Sequence, residues 1–221
     1  MTKHFEEELK ELKDKLLYMG SIVESMIQYA IKTLVERKDE YSKEVINHEN
    51  EVNKLQVVID EMCLKLIALQ QPTASDLRFI TSAMKINSDL ERIGDQAVNI
   101  MENSLDLMKQ PPLKPLIDLP KMADIVKGMV KDSLDAFVKR DAELAQKVLE
   151  TDDQVDDYKD QIFRELLTYM VQDSKNISRA LDLILVSRNL ERMGDHATNI
   201  AEDVIFMVLG KDIRHHLQDN Q

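Results

Sequence analysis

Apolar residues recur at intervals of three and four along nearly the whole chain, the spacing of amphipathic helices that each bury one face. Leu9, Leu12, Leu16, Met19, Val23, Met26, Ile27, Ala30 and Leu34 form one such stripe and predict a first helix from about residue 3 to Arg37. It stops in the charged turn ERKDE. Asp39 is placed to cap a second helix that runs to Gln70. The stretch QQPTASD then supplies Pro72 as a breaker and Thr73 and Ser75 as N-cap candidates for a third helix reaching about Lys109. QPPLKP at 110–115 holds three of the five prolines, so no helix passes through it.

Beyond Pro120 the pattern starts again. Ile22, Val23, Met26, Val35 and Arg37 reappear as Ile125, Val126, Met129, Val138 and Arg140, each 103 positions later. Asp141 opens the fifth helix, VQDSKN at 171–176 ends it, and the sixth reaches Gly210, a C-cap candidate. Later in the repeat the offset is 100, which places a three-residue difference most simply at the QQPTAS turn. Six helices of roughly 30 residues, each about 45 Å long with short turns, must alternate in direction. The expectation is all-α: a tandem duplication of two antiparallel three-helix bundles, 1–110 and 116–210, with a linker at 111–115 and a tail at 211–221. One continuous six-helix bundle is the alternative.

Composition agrees with helix and narrows the function. The 221 residues are 43% hydrophobic, with five Gly and no Trp. Net charge is −12 and pI about 4.9, which argues against direct binding of nucleic acid or anionic lipid. Cys63 is the only cysteine, which excludes an intrachain disulfide, argues against a thiolate zinc cluster and fits a reducing cytoplasm. The first twenty residues lack the apolar core of a signal peptide, and the longest late apolar run, VIFMVL at 204–209, is far too short to span a bilayer. Any membrane role is expected to pass through a partner.

The second copy preserves one polar stretch. LERIGDQAVNI at 90–100 and LERMGDHATNI at 190–200 agree at eight of eleven positions, whereas 38–67 and 141–170 agree at only five of thirty. On a helical wheel Glu91, Asp95, Asn99 and Glu102 share one side while Ile86, Leu90, Ile93, Ala97, Ile100 and Leu105 form the core arc. Gly94 and Gly194 fall within that arc, which suggests close approach of a neighbouring helix backbone. A second pair of rows, Glu49 with Asn53 and Asp152 with Asp156, stands on the preceding helices. The wheel groups Asp152 and Asp156 with Leu149, Phe163, Leu167 and Met170, so two carboxylates interrupt an apolar face.

Carboxylates held against packed surface need a cation or strong donors. Four oxygen-bearing side chains per half, with no thiolate, suit Mg, Mn or Fe. Spacing alone leaves metal binding and ion pairing, with Arg92 and Arg192 as partners, both open. No His has Glu three residues before it, so the Glu-x-x-His pattern of di-iron oxidases is missing, as are a nucleophile with its base, a P-loop and a dinucleotide turn. His196 reads as an exposed helix histidine, with a ligand role as the alternative, and the twelve methionines as core filler, with Met19, Met26 and Met129 as candidates for a contact surface. His215 and His216 read as part of a disordered end.

QQPTASDLR at 70–78, LERIGD at 90–95, LTYMVQDS at 167–174 and LERMGD at 190–195, in this order and spacing, closely resemble the PhoU family of phosphate-specific transport accessory proteins. The resemblance implies two similar three-helix bundles and a non-enzymatic cytoplasmic regulator that represses the phosphate-starvation response. Its implied partners are the ATPase subunit of the phosphate ABC transporter and the phosphate-sensing histidine kinase, with homodimer formation left open. It also implies that E(D)xxxD motifs hold metal ions such as Fe, Mn, Mg or Zn on the bundle surface. The matching positions are Glu49 with Asn53, Glu91 with Asp95, Asp152 with Asp156, and Glu191 with Asp195. Asn53 departs from that pattern, and its neutral amide predicts weaker binding in the first half. The competing readings are a carboxylate-metal enzyme acting on phosphate compounds and a structural helical spacer.

Overall fold

A computed structural model describes residues 3–213, so the tail histidines His215 and His216 lie outside it. Six helices follow one another: α1 (Lys3–Glu36), α2 (Glu40–Gln70), α3 (Ala74–Met108), α4 (Asp118–Lys139), α5 (Ala142–Gln172) and α6 (Ile177–Leu209). A single 3-10 turn, Ser174–Asn176, precedes α6. The described residues contain no strand. α4 has 22 residues rather than roughly 30, because the proline linker occupies the chain that would have extended it backwards.

The three-residue difference between copies sits where the repeat pattern put it. The first copy turns through 71–73 and starts α3 at Ala74, whereas the second turns through 173–176 and starts α6 at Ile177, equivalent to Leu77 at an offset of 100. The caps are mixed. Asp141 accepts hydrogen bonds from the amides of Glu143 and Leu144, both 3.0 Å, and caps α5. Asp39 occupies the expected position but has helical backbone, and its carboxylate accepts the Ser42 hydroxyl at 2.7 Å instead of an amide. Thr73 stands at the N-cap of α3, yet its hydroxyl donates to Asp76.

Within each half the helices run up, down and up. Gln70 at the end of α2 reaches Glu8 near the start of α1, and Asn87 on α3 donates to the Gln56 carbonyl and Asp60 on α2. α2 and α5 bury only a narrow seam: Ser42, Val45, Val52, Ile59, Cys63 and Leu66 on one, Ala145, Val148, Val155, Ile162 and Leu166 on the other. α3 and α6 bury much broader arcs, because each packs on its own half and on the other. The result is a central group of α1, α3, α4 and α6, flanked by α2 and α5.

The two halves therefore share one continuous buried core. Phe79 of α3 stacks on Phe137 of α4 with centroids 4.9 Å apart, and both rings are buried. α1 meets α4 where Gly20 faces Leu134; a methyl group on Gly20 would overlap the Leu134 Cδ1 atom. α3 and α6 are antiparallel, since Arg78 reaches Met207 while Asp89 reaches His196. Met19, Met26 and Met129 are buried, which makes them core filler and not a contact surface. No described helix is long and apolar enough to cross a membrane.

Candidate functional site

The buried seam of α5 follows positions 145, 148, 155, 162 and 166, and Asp152 and Lys159 fall on its intervening steps. This corrects the wheel reading. Over 31 residues an ideal 100° wheel drifts from a seam spaced at 3.5 residues. Phe163 and Leu167 are accordingly exposed, and so is Asp156. Asp152 alone of the two α5 carboxylates is pressed towards the core, with Glu49 as its counterpart on the α2 seam.

Asp152 is held against the backbone of α6. Its Oδ1 lies 3.2 Å from the point a Cβ on Gly194 would occupy, with Val155 and Met129 nearby. The glycine is approached by side chains and not by a helix backbone. Its counterpart Gly94 faces Met26 and Val52 at 3.5 to 3.7 Å, ordinary contact distances. Burial first, then Asp195, Asp156, Glu191 and Asp153, push Asp152 up to about 6. Asp195 is raised by burial and then by Glu191 and Asp156, with His196 and Lys159 opposing. All four expected residues of the second half thus act on one another electrostatically.

Lys159 sits among them and was missing from the expected site. Its ammonium donates to Asp156 at 2.7 Å and to Glu191 at 3.3 Å. A lysine on a seam position, one turn beyond two acids, is the signal that could have found it. The first half has Gln56 at the equivalent position, so its cluster lacks this cation.

In the first half Glu49 is raised by burial, then by Asp95 and Glu102. Glu91 is raised by burial and Asp95, with Arg92 and His196 opposing. Arg92 stands 3.7 Å from Glu91 and 3.9 Å from Asp95 but is 61% exposed, so this pairing is weak. Asn53 is exposed. Glu102, on the predicted polar side but outside the expected ligand set, faces Glu49 and belongs to the cluster.

His196 is half-buried and not an exposed helix histidine. Its Nδ1 lies 2.8 Å from Asp89 Oδ1, bridging α6 to α3. The antiparallel α3–α6 packing explains the contact, which no local pattern in either helix encodes. The duplicated positions carry Asn189 and Gln96; there Asn189 bonds the Leu185 carbonyl and the buried Gln96 Oε1 has no partner. His196 opposes the upward shift of both Glu91 and Asp195.

Chemically, each cluster concentrates oxygen donors where a cation is favoured. Among the described residues no three carboxylate, imidazole or thiol groups lie within joint reach of one metal ion. The cation at the second cluster is the Lys159 ammonium.

Comparison with known proteins gives a consistent set of similarities. The family model described as PhoU domain matches twice, over residues 16–104 and 119–204. The chain is 40% identical over 216 residues to a phosphate-specific transport system accessory protein PhoU homolog of Pseudomonas putida, covering 97% of this chain and 84% of that one. It is 42% identical over 208 residues to the Aquifex aeolicus homolog, covering 94% of each. The crystal structure of PhoU from Pseudomonas aeruginosa is similar with a TM-score of 0.90 at 38% identity, covering 94% of this chain and all 100% of that one. The phosphate transport system regulatory protein PhoU from Streptococcus pneumoniae gives 0.86 at 29%, covering 95% and 99%.

Proposed function

This chain belongs to the PhoU family, and from that premise we propose that it is a cytoplasmic, non-catalytic negative regulator of the phosphate-starvation response. It acts as an adaptor between the ATPase subunit of the phosphate ABC transporter and the phosphate-sensing histidine kinase. The observation that carries this reading is the family match across both repeats. It is supported by an exposed apolar surface suited to docking proteins. Phe163, Leu167 and Val171 on α5 and Ile177, Leu181 and Leu185 on α6 are all at least 40% exposed and repeat every four residues along an antiparallel hairpin.

Metal binding at the acidic clusters is part of the proposal. Glu49, Glu91 and Asp95, with Asn53 at the rim, would hold a cation in the first half, and Asp152, Asp156, Glu191 and Asp195 in the second. A half-buried carboxylate among three others, with its pKa raised to about 6, is a donor set that a divalent cation would neutralise. Side-chain rotation is needed, and in the second half Lys159 must yield its place. The bound ion would supply charge and rigidity to the α5–α6 face.

Deleting the gene should leave phosphate-starvation genes expressed in abundant phosphate. Normal repression in the deletion strain would overturn the regulatory reading. Metal analysis of untagged protein purified without chelator, compared with Asp152→Ala and Asp195→Ala, tests the sites; equal content in all three would remove them.

A further inference from the structure

Lys13 and Arg140 come from different halves of the chain yet share one aromatic ring. The Lys13 ammonium lies 5.2 Å, and the Arg140 guanidinium carbon 5.6 Å, from the centroid of Phe79. That ring is fully buried and stacked on Phe137, with planes 15° apart, so it forms a rigid floor where α1, α3 and α4 meet. Its quadrupole attracts both cations but carries no net charge, so it leaves their mutual repulsion uncancelled.

The repulsion is felt at Lys13. Burial first and Arg140 second hold its pKa below the usual lysine value, against the opposing pull of Asp14. Among the described residues neither cation makes a hydrogen bond or an ion pair. Asp14 is the carboxylate that acts on Lys13, and it does so without a hydrogen bond or ion pair to the ammonium.

The duplicated position makes the contrast sharper. Arg37 and Arg140 have the same left-handed backbone, with φ of 55° and 53°. Arg37 Nη2 donates to the carbonyls of Leu107, Met108 and Gln110 at the end of α3. Arg140 has no such task, and its head stands beside Lys13.

We infer that Lys13 and Arg140 bind a tetrahedral oxyanion, either inorganic phosphate or a phosphoryl group, at the junction between the two halves. A guanidinium fork can meet two of its oxygens and the ammonium a third. Because the cations belong to α1 and to the end of α4, occupancy ties the first repeat to the second. The site is independent of the adaptor reading, since it is measured on the purified protein with no partner present.

The test titrates the full-length protein with inorganic phosphate by calorimetry, at constant ionic strength held with chloride. Saturable binding is expected, weakened about tenfold or more in Lys13→Gln and in Arg140→Gln. Lys10→Gln, the same charge change on the exposed side of α1, should leave it unchanged. Circular dichroism and melting without phosphate confirm that each variant is folded. A phosphate monoester titrated in parallel identifies the source, the tighter of the two being the physiological form. Absence of saturable binding for both ligands, or equal weakening in all three variants, would overturn the inference.

Discussion

Asp152 and Gly194 are in contact across α5 and α6, the carboxylate oxygen 3.2 Å from where a Cβ on the glycine would stand. In a helix interior Ala is favoured over Gly by about 1 kcal/mol. At Gly94 an added methyl would meet Met26 and Val52 at ordinary distances, so Gly94→Ala should keep or raise the melting temperature. At Gly194 the same methyl crowds the Asp152 carboxylate oxygen, 3.2 Å from the added carbon, and forces it to shift. Gly194→Ala should therefore forfeit that gain and weaken Mn binding, which calorimetry on the two variants would resolve. Equal behaviour of both would disprove the contact's importance.

The pH dependence of stability follows from the same carboxylate. Asp152 rises from 3.8 to about 6 on folding. A group with a higher pKa in the folded state stabilises most where both states are protonated, below about pH 4, and that contribution is lost as pH rises through 6. Asp152→Asn should consequently stabilise the metal-free protein near pH 7.5 by about 1 to 2 kcal/mol, after discounting for solvent screening at a half-exposed site. Near pH 4 the gain should vanish. Denaturant melts of wild type and variant at both pH values give the difference directly.

Lys159 and a metal ion compete for Asp156 and Glu191. Lys159→Gln should cost the metal-free protein about 0.5 to 1 kcal/mol, the scale of a partly exposed ion pair. It should also tighten Mn binding, because no ammonium has to leave. Weaker binding in the variant would mean that Lys159 orders the carboxylates instead of competing.

Asp89 and His196 form one polar bridge between the halves, alongside Lys85 with Asp203. A double-mutant cycle with Asp89→Asn and His196→Gln should return a coupling of about 0.5 to 1.5 kcal/mol. The choice of Gln at 196 copies the residue already present at position 96. A coupling near zero would leave the polar part of the α3–α6 association to Lys85 with Asp203 and to Ser82 and Arg78 with the Asp203 and Met207 carbonyls.

How much of this was legible beforehand depends on how local each signal is. All six helices and the linker were visible because three- and four-residue periodicity and proline chemistry act within a few residues. The acidic rows stood out because repetition preserved them while their surroundings diverged. Asp89 with His196, Phe79 with Phe137 and Gly20 against Leu134 were invisible, since each joins residues from opposite halves that no local pattern pairs. Lys159 was missed for a different reason: it shares the wheel stripe of Asp152, but its pairing with Glu191 depends on how α5 packs against α6.

Arg37 and Arg140 finally offer a matched pair at equivalent turns. Each adopts left-handed backbone at similar strain, so replacing either by Gln leaves that strain unchanged. Arg37→Gln strips a charged donor from three carbonyls at the end of α3 and should destabilise by about 2 kcal/mol. The loosened α3 end adjoins the proline linker, so proteolysis near 110–115 should accelerate as well. Arg140→Gln removes only a cation over Phe79 that repels Lys13, and its melting temperature without phosphate should stay within a degree or two of wild type, about 0.5 kcal/mol. Similar losses in both variants would show that Arg140 is a structural cap like its counterpart and not a free cation.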